Sequence, residues 1–595
     1  MTETTTRHGA DAATGRPWLD ASLPVEERVE LLLSAMTVEE KAGLFFHTMM
    51  AIGDLEEANP AFSLPSAREL VDGRHMTHFN LLGAAPTGRD IARWHNALQE
   101  MAASTRLGIP VTLSTDPRHS FSDNPGAAIM AGPFSQWPET MGLAAIGDEA
   151  LVERFADIAR QEYTAVGLRV ALHPQVDLAT EPRWARQTAT FGEDAELAGR
   201  MGAAYIRGFQ GEAFGVGSVS TMTKHFPGGG PQKDGEDPHF SYGREQVYPG
   251  GMFEHHLKPF EAAFEAGTRQ IMPYYGMPLG TEYEEVGFGF NKSVITGLLR
   301  ERYGFDGLVC TDWGLISDAE LFGTPFPARA WGVEHLTPSE RIVKILDAGA
   351  DQFGGETCVD LLVDLVAAGD VAEERLDVSA RRILREKFVL GLFEDPFVDE
   401  DAADQIVGRA DFRAAGEAAQ RAAIAVLDND GTLPVAGGRR LYVEGIDAEI
   451  AARYGTVVDT PHEADVAVLR LHAPFEQRES MFENFFHAGS LAFPDDVVTH
   501  VREVARAVPT VVDVLLDRPA ILTPFVGEVA ALTANWGANG AALLDVLTGA
   551  AQARGRLPFD LPRSMTAVEQ SRPDVPFDTA DPLFRFGHGL EIPGA

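Results

Sequence analysis

The side chains whose types and order most strongly suggest chemistry are Asp312 and Trp313, which directly follow the short apolar run 308–310. A carboxylate can attack the anomeric carbon of a sugar or stabilise an oxocarbenium ion. The flat face of an indole packs against the C–H face of a pyranose. Because an Asp also commonly starts the turn after a strand, the pair alone is compatible with sugar-cleaving chemistry and with an ordinary turn.

A second candidate element is the glycine-rich motif Lys224-His-Phe-Pro-Gly-Gly-Gly230. It lacks the Gly-Lys-Ser/Thr ending of a phosphate loop and the Gly-x-Gly-x-x-Gly pattern of a dinucleotide turn, so phosphate binding is disfavoured. Lys224 and His225 instead offer adjacent hydrogen-bond donors suited to vicinal hydroxyls of a sugar. The simpler interpretation is a strand end that precedes a flexible loop.

Other catalytic classes lack their characteristic motifs in this sequence. His255 and His256 are adjacent and cannot both face one ion from a helix, and His-Glu-x-x-His is absent. The Gly-x-Ser-x-Gly elbow of a hydrolytic serine is also absent. We therefore predict no metal and no cofactor, and carboxylate chemistry is the class that remains.

The elements that must position these residues alternate along residues 77–355, where short apolar runs are separated by longer helical patterns. Repeated alternation of strand and helix predicts a parallel sheet, and the number and spacing of the runs predict a (β/α)₈ barrel. Active sites of such barrels lie at the C-terminal ends of the strands. The polar residues that end the runs would then meet at one mouth: Asp116, Asp177, Lys224, His225, Tyr275 and Asp312.

After the acidic stretch 397–404, strand-like and helical runs resume on a smaller scale and predict an α/β three-layer sandwich. The predicted division is a barrel domain over residues 1–395, a linker over 396–410, and the sandwich domain over 411–595. A chain of 595 residues agrees with two domains, because single cores stop growing well below that size.

The net charge and the distribution of apolar residues indicate which binding partners and which cell compartment to expect. Lys plus Arg number 49 against 88 Asp plus Glu, and the resulting formal charge of −39 opposes binding to nucleic acid or to anionic lipid surfaces. No apolar run approaches the ~18 residues of a membrane span, and residues 1–15 lack the apolar core of a secretory signal. We therefore expect a cytoplasmic protein. The oligomeric state stays open, with a homodimer as one candidate.

Several motifs occur in one order along nearly the whole chain and together resemble glycoside hydrolase family 3. They are Met36-Thr-Val-Glu-Glu-Lys41, Arg106-Leu-Gly-Ile-Pro110, Pro182-Arg-Trp-Ala-Arg-Gln187 with Phe191-Gly-Glu-Asp194, Lys224-His-Phe-Pro-Gly228, Ile271-Met-Pro-Tyr-Tyr275, Gly304-Phe-Asp-Gly307 with Thr311-Asp-Trp313, and Pro582-Leu-Phe-Arg-Phe-Gly-His-Gly-Leu590. An ordered series of this kind is far more specific than any single motif.

The resemblance implies a retaining exo-hydrolase that removes a β-linked sugar from a non-reducing end. It implies that Asp312 is the nucleophile and that Trp313 walls the pocket. It also implies a first sugar subsite, whose matching residues here are Asp116, Arg186, Lys224, His225 and Tyr275.

The general acid/base is where this sequence departs from the family pattern. The resemblance implies a Glu on a loop of the second domain, and the matching segment, 471–480, has Gln477 at that position. Glu476 and Glu479 are the candidates, with Glu483 a weaker third. A further alternative comes from the family's β-N-acetylglucosaminidases, which use an Asp-x-His pair; Asp237-Pro-His239 has that spacing.

The predicted function is an exo-acting β-glucosidase acting on β-glucosides or β-gluco-oligosaccharides. A β-xylosidase is a close alternative, because one hydroxymethyl group separates the two sugars and no residue visibly decides between them. A β-N-acetylglucosaminidase is a second alternative. A barrel that binds glycans without turnover is the alternative from another functional class.

Overall fold

The computed structural model describes residues 15–60, 63–124, 126–321 and 324–592, which form two units. In those ranges, no helix combines the length and apolar composition that crossing a bilayer requires.

The first unit is a closed barrel of eight parallel strands that follow one another around the ring in chain order. This confirms the predicted barrel. The strands are β1 (Phe46–Ala51), β2 (His78–Leu82), β3 (Thr112–Thr115), β4 (Leu168–Ala171), β5 (Ser220–Phe226), β6 (Gln270–Pro273), β7 (Leu308–Trp313) and β8 (Gln352–Gly354).

Helices surround this barrel and separate most of its strands. They are α1 (Val25–Ala35), α2 (Val38–Gly43), α3 (Gly88–Ser104), α4 (Thr140–Ile146), α5 (Glu149–Ala165), α6 (Ala195–Gln210), α7 (Phe253–Glu265), α8 (Pro338–Ala348), α9 (Val359–Ala368) and α10 (Glu373–Val389). Two π-helical segments, Glu69–Gly73 and Ser293–Arg302, precede β2 and β7. Two small ribbons pair Glu245–Val247 with Met277–Leu279 and Ala319–Leu321 with Thr324–Phe326.

Six of the eight barrel strands are buried along their whole length, even where their sequences are polar, and only β1 and β7 contain partly buried residues. All seven residues of β5 are buried, although the strand reads Ser-Thr-Met-Thr-Lys-His-Phe. Its polar groups find partners in the neighbouring strand region: the hydroxyls of Thr223 and Thr268 lie 2.8 Å apart. Buried polar groups are tolerated when they are hydrogen-bonded, so this strand can carry Lys224 and His225 to the mouth.

The second unit is a six-stranded sheet in the spatial order β9 (Ala425–Asn429), β14 (Ala531–Asn535), β13 (Thr510–Leu515), β12 (Val466–His472), β10 (Arg440–Glu444) and β11 (Thr456–Val457). Strand β9 is antiparallel to β14, and the other neighbouring pairs are parallel. Apolar cores lie on both faces of the sheet, with Val501 in one and Leu543 in the other, which gives the predicted three layers. The helices from the connection onward are α11 (Glu400–Ile406), α12 (Ala410–Ala423), α13 (Ala448–Ala451), α14 (Asp495–Ala507), α15 (Gly540–Leu547) and α16 (Met565–Gln570).

The connection between the units is structured. The segment predicted as a linker, 396–410, contains α11, and the Asn96 side chain of α3 holds it through two hydrogen bonds to Val398 of 2.9 and 3.0 Å. Met141 of the barrel unit belongs to the same apolar cluster as Trp536 of the sheet unit. The two units therefore share buried apolar surface.

A late segment of the chain, 571–578, also reaches back to the barrel. The Asp574 carboxylate accepts backbone N–H groups of Gly250 and Met252, at 2.9 and 2.8 Å. The Thr180 hydroxyl donates to the Pro573 carbonyl at 2.6 Å. These contacts tie loops of the barrel's C-terminal side to the second unit.

Candidate active site

Seven of the eight barrel residues singled out in the sequence are placed here at the C-terminal ends of the strands, and the eighth, Asp177, contacts His225. Lys224 and His225 lie in β5, Asp312 and Trp313 end β7, Asp116 follows β3, Tyr275 follows β6, and Arg186 lies on the loop after β4. Contacts between Lys224 and Asp116, between His225 and Asp312, and between Tyr275 and Trp313 bring these side chains together at the barrel mouth.

Asp312 is 7% exposed and keeps one oxygen free. Its Oδ1 accepts the backbone N–H of Trp313 at 2.8 Å, whereas the buried Oδ2 has no hydrogen-bond partner. The nearest ring nitrogen, Nε2 of His225, lies 3.8 Å from Oδ2. A buried carboxylate oxygen without a partner needs an explanation, and an open position for a reacting ligand supplies one.

Asp177 fixes the orientation of His225. Its carboxylate lies 2.8 Å from Nδ1 of that ring and accepts the backbone N–H of Gly229 at 2.5 Å. Burial holds the pKa of His225 well below its usual value, and the positive charges of Arg186 and Lys224 lower it further. The ring is therefore neutral, with its proton on Nδ1 toward Asp177 and a hydrogen-bond acceptor on Nε2 toward the cavity. Burial also raises the pKa of Asp177 to about 6, against the opposing effect of its backbone donors.

Two cations face the same cavity. Lys224 is 5% exposed, and its Nζ pairs with the Asp116 carboxylate. Arg186 has a buried Nη1 without a partner. Burial alone would lower the pKa of Arg186, but the charges around it, which include Asp312 and Asp177, raise it above its usual value. The guanidinium is therefore charged and has donors available for a ligand.

Tyr275 and Trp313 form an aromatic wall beside the carboxylate. The Tyr275 hydroxyl donates to the Trp313 carbonyl at 2.8 Å, and the Arg329 guanidinium donates to the same oxygen at 2.6 Å. Burial, reinforced by the Asp312 charge, raises the pKa of Tyr275 well above its usual value, so the phenol stays neutral. Trp313 packs beside His47 with ring centroids 5.4 Å apart.

Residues 473–490, which we call the sheet-domain loop, reach this mouth from the second unit. Arg518, 1% exposed, holds the base of the loop. Its guanidinium donates to the carbonyls of Pro474 at 2.6 Å and Gly489 at 3.2 Å, and also to Arg183 of the barrel at 2.9 Å. One buried side chain thus joins both ends of the loop to the barrel.

The sheet-domain loop also contacts residues 233–245, which we call the barrel loop. Arg478 donates to Glu236 at 2.7 Å, and the Tyr242 hydroxyl donates to Glu483 at 2.8 Å. The ring of Phe486 lies 4.5 Å from that of His239. The two loops therefore meet as one layer beside the mouth.

Comparisons with known proteins agree with this arrangement. The model for the glycosyl hydrolase family 3 N terminal domain matches residues 69–386, and the model for the family 3 C-terminal domain matches residues 337–592. This chain belongs to glycosyl hydrolase family 3.

Relatives within family 3 cover almost the whole chain. "Probable beta-glucosidase C" of Aspergillus flavus is 52% identical over 579 residues, which are 96% of this chain and 91% of that protein. "Periplasmic beta-glucosidase/beta-xylosidase" of Dickeya chrysanthemi is 44% identical over 597 residues, again 96% of this chain and 91% of the relative.

Solved structures show the same two-domain fold at low sequence identity. A β-glucosidase from Erythrobacter marinus has a TM-score of 0.78 at 21% identity, with 97% of this chain and 84% of that chain covered. A β-glucosidase from Listeria innocua in complex with isofagomine has a TM-score of 0.74 at 23% identity, with 95% and 83% covered.

The family 3 acid/base candidates occupy three different environments on the sheet-domain loop. Glu476 is exposed, and its Oε1 accepts the Ser490 N–H at 3.0 Å. Glu479 is exposed and forms no hydrogen bond in the part of the chain that the structure describes. Glu483 is held by Tyr242 and Ser480, whose hydrogen bonds outweigh its burial and lower its pKa, the wrong direction for a proton donor.

Gly489 leaves the space that the Glu476 side chain occupies. Its φ is +76°, in the left-handed region, and an added Cβ would lie 2.3 Å from Cδ of Glu476. Glycine is the residue that meets both conditions, because it has no Cβ. The loop is therefore shaped around the Glu476 carboxylate.

The Asp237–His239 pair also lies at the mouth of this family 3 site. Oδ1 of Asp237 accepts the backbone N–H of His239 at 2.9 Å and lies 2.6 Å from its Nδ1. The His239 ring is 4.6 Å from the ring of Tyr275. The sequence pointed to this pair only through its Asp-x-His spacing.

Asp177 is a site residue whose role sequence reasoning missed. It was recognised as a polar strand end, but its contact with His225 depends on the fold around β5. In the described ranges, no group of three or more His, Cys, Asp or Glu side chains is arranged to hold a metal ion.

Proposed function

We propose that this family 3 protein is a retaining, exo-acting β-glucosidase that removes β-linked glucose from non-reducing ends by double displacement. The observation that carries the proposal is the buried, unpartnered Oδ2 of Asp312 at the barrel mouth, among donors and an aromatic wall. The 52% identity to "Probable beta-glucosidase C" over 96% of the chain supports the choice of sugar.

In the first half-reaction, Oδ2 of Asp312 attacks the anomeric carbon. The bond from that carbon to the leaving oxygen breaks, and the oxygen takes a proton from the general acid. A covalent glucosyl–Asp312 ester and a free alcohol result. Lys224, Arg186, Asp116 and the Nε2 acceptor of His225 hold the sugar hydroxyls during this step.

In the second half-reaction, a water molecule attacks the same carbon from the face that the alcohol left. The general base takes one proton from the water, the ester bond to Asp312 breaks, and β-glucose is released. Two inversions give net retention. Asp312 returns to its ionised form, and the acid regains its proton.

Glu476 is our choice for the acid/base. Gly489 and the Ser490 N–H fix its side chain, and Arg518 holds the surrounding loop against the barrel. Glu479 has no comparable support, and the oxygens of Glu483 are occupied by Tyr242 and Ser480.

β-Xylosidase activity is a second candidate, because the Dickeya relative at 44% identity carries both activities in its name. The β-N-acetylglucosaminidase and non-hydrolytic alternatives have no comparable support among the relatives quoted. The cytoplasmic location and the homodimer remain proposals from sequence; the name of the Dickeya relative places that protein in the periplasm.

The test is hydrolysis of a panel of nitrophenyl glycosides: β-glucoside, β-xyloside, β-N-acetylglucosaminide and α-glucoside. We expect the highest kcat/KM on the β-glucoside, lower activity on the β-xyloside, and none on the α-glucoside. Hydrolysis only of the β-N-acetylglucosaminide, or binding without turnover, would refute the proposal.

Asp312→Ala should lower kcat on the nitrophenyl β-glucoside by about 10⁴-fold, because no other group forms the covalent intermediate. Asp306→Ala is the matched control, since Asp306 is an exposed carboxylate just before the same strand. Activity of the Asp312 variant within tenfold of wild type would remove Asp312 from the nucleophile role.

A further inference from the structure

Asp237 on the barrel loop is a buried carboxylate that the reaction scheme above does not use. It is 3% exposed, and both contacts of its Oδ1 are to His239. Its Oδ2 is buried and has no hydrogen-bond partner. Leaving a carboxylate oxygen buried and unpaired is costly, so a ligand that supplies a donor is the natural partner.

The backbone around Asp237 holds the carboxylate in place. The Asp237 carbonyl accepts the N–H of Phe240 at 3.2 Å, and the Pro238 carbonyl accepts the indole N–H of Trp331 at 2.8 Å. Gly243 packs so closely that an added Cβ would lie 2.1 Å from the Asp237 carbonyl oxygen. The side chain is therefore fixed before any ligand arrives.

Its neighbours place Asp237 at the same cavity as Asp312. The His239 ring that it holds lies 4.6 Å from Tyr275, whose hydroxyl contacts the Trp313 carbonyl. Asp237 and Asp312 are both among the charges that raise the pKa of Arg186. Arg186 in turn has its own unpartnered Nη1, and these two side chains form no ion pair with each other in the described structure.

We propose that Asp237 and Arg186 together bind one hydroxyl group of the glucose in the first subsite. The hydroxyl donates to Oδ2 of Asp237 and accepts from Nη1 of Arg186. This inference rests on the proposed function. A hydroxyl fits because it donates and accepts at once, whereas the carbonyl oxygen of an acetamido group only accepts. Asp237 is thereby a specificity-determining residue, and His239 positions it.

The test combines Asp237→Asn with a set of monodeoxy nitrophenyl β-glucosides that lack the 2-, 3-, 4- or 6-hydroxyl. We expect Asp237→Asn to lower kcat/KM on the parent glucoside by about 10- to 100-fold, as for a lost hydrogen bond to a charged group. On the deoxy substrate that lacks the bound hydroxyl, Asp237→Asn and wild type should have the same kcat/KM, because the hydrogen bond is already missing in both cases. Asp234→Asn, at an exposed residue of the same loop, should behave as wild type.

Arg186→Lys tests the same interaction from its other side. It should also lower kcat/KM on the parent glucoside, and it should cause no further decrease on the deoxy substrate that lacks the same hydroxyl. Equal losses of Asp237→Asn on every deoxy substrate would show a structural role and overturn the proposal. So would acceleration of Asp237→Asn by azide, which would assign the pair to proton transfer. If wild type does not hydrolyse the parent glucoside, both the proposed function and this inference are refuted. If wild type does hydrolyse it, and the effects of Asp237→Asn and of each missing hydroxyl on kcat/KM are additive, only this inference is refuted.

Discussion

The Glu476 carboxylate depends on two neighbours for its position, the Ser490 N–H and the space left by Gly489. A general acid matters most when the leaving group is a poor one, and a general base matters in the step that uses water. Loss of Glu476 should therefore be visible in how the rate depends on the leaving group and on added nucleophiles.

Glu476→Ala should lower kcat/KM on an alkyl β-glucoside by about 10³-fold and on a dinitrophenyl β-glucoside by much less, because dinitrophenolate leaves without a proton. Azide needs no general base, so it should raise kcat on the activated substrate and yield β-glucosyl azide. The measurements are steady-state kinetics and product analysis.

Glu479→Ala is the control for this prediction, because Glu479 is an exposed residue of the same loop. It should retain near wild-type rates and show no response to azide. Rescue of the Glu479 variant, with none for Glu476→Ala, would exchange the two roles.

The residues of the barrel mouth were predictable because the fold brings strand ends together whatever the intervening sequence. Asp116, Lys224, His225 and Tyr275 all follow from that rule. The acid could not be placed in the same way. Its position depends on how a loop of one domain folds onto another, and on backbone details such as the left-handed Gly489.

At the scale of elements, the sheet-domain loop is held at its base by Arg518. This guanidinium satisfies carbonyls of Pro474, Ala488 and Gly489 and reaches Arg183 of the barrel. Removing it would leave the Pro474 and Gly489 carbonyls without this donor and weaken the attachment of the loop that carries Glu476 to the barrel. We therefore propose that Arg518 positions Glu476, our candidate for the acid/base.

Arg518→Met should lower kcat on alkyl β-glucosides by about 10- to 100-fold, because the acid is no longer held in place. The loss on a dinitrophenyl β-glucoside should be several-fold smaller. Measurement of kcat across leaving groups of different pKa checks this. Arg502→Met, on α14 of the same domain, is the control, and an equal loss on all leaving groups would show that Arg518 supports folding only.

Element prediction from the sequence succeeded where apolar runs end in clear turn signals, as for β2 and β7. Strand β1 (Phe46–Ala51) was missed because it follows α2 almost directly, without a turn cluster. Strand β9 (Ala425–Asn429) is difficult to delimit for a related reason. Its first residues continue the apolar pattern of α12, so the pattern does not mark where the helix ends and the strand begins.

At the scale of the whole molecule, Glu193 joins the barrel to the second domain. This residue, 5% exposed, accepts the backbone N–H groups of Asp560 at 2.5 Å and Phe577 at 2.9 Å. Burial raises its pKa to about 8, although the two backbone donors oppose the shift. The domain junction therefore contains a carboxyl group that ionises near neutral pH.

The contribution of Glu193 to the stability of the folded protein should consequently fall as pH rises from about 4.5 to about 8. In that window the unfolded chain has released the Glu193 proton and the folded chain still holds it, so raising the pH favours unfolding. Glu193→Gln removes this proton and should flatten the decrease by up to ~1.4 kcal/mol per pH unit. Tm measured by calorimetry across this pH range checks it.

The variant's absolute stability is a separate matter, because a Gln amide must face one of the two backbone N–H groups. The change of slope with pH is the decisive quantity. Glu196→Gln, at an exposed residue in the first turn of α6, should keep the wild-type slope. Identical pH profiles for wild type and Glu193→Gln would contradict the assignment.

The contacts of residues 571–578 with the barrel have a consequence for how the enzyme is made. A nascent chain emerging from the ribosome completes all eight barrel strands with Gln352–Gly354, long before the sheet-domain loop and Asp574 are translated. Asp312 is then present on a barrel that lacks Glu476 and the late segment that closes its loops. With Asp312 and Glu476 in the roles proposed above, we expect hydrolytic activity to appear only after the chain has been synthesised through this segment.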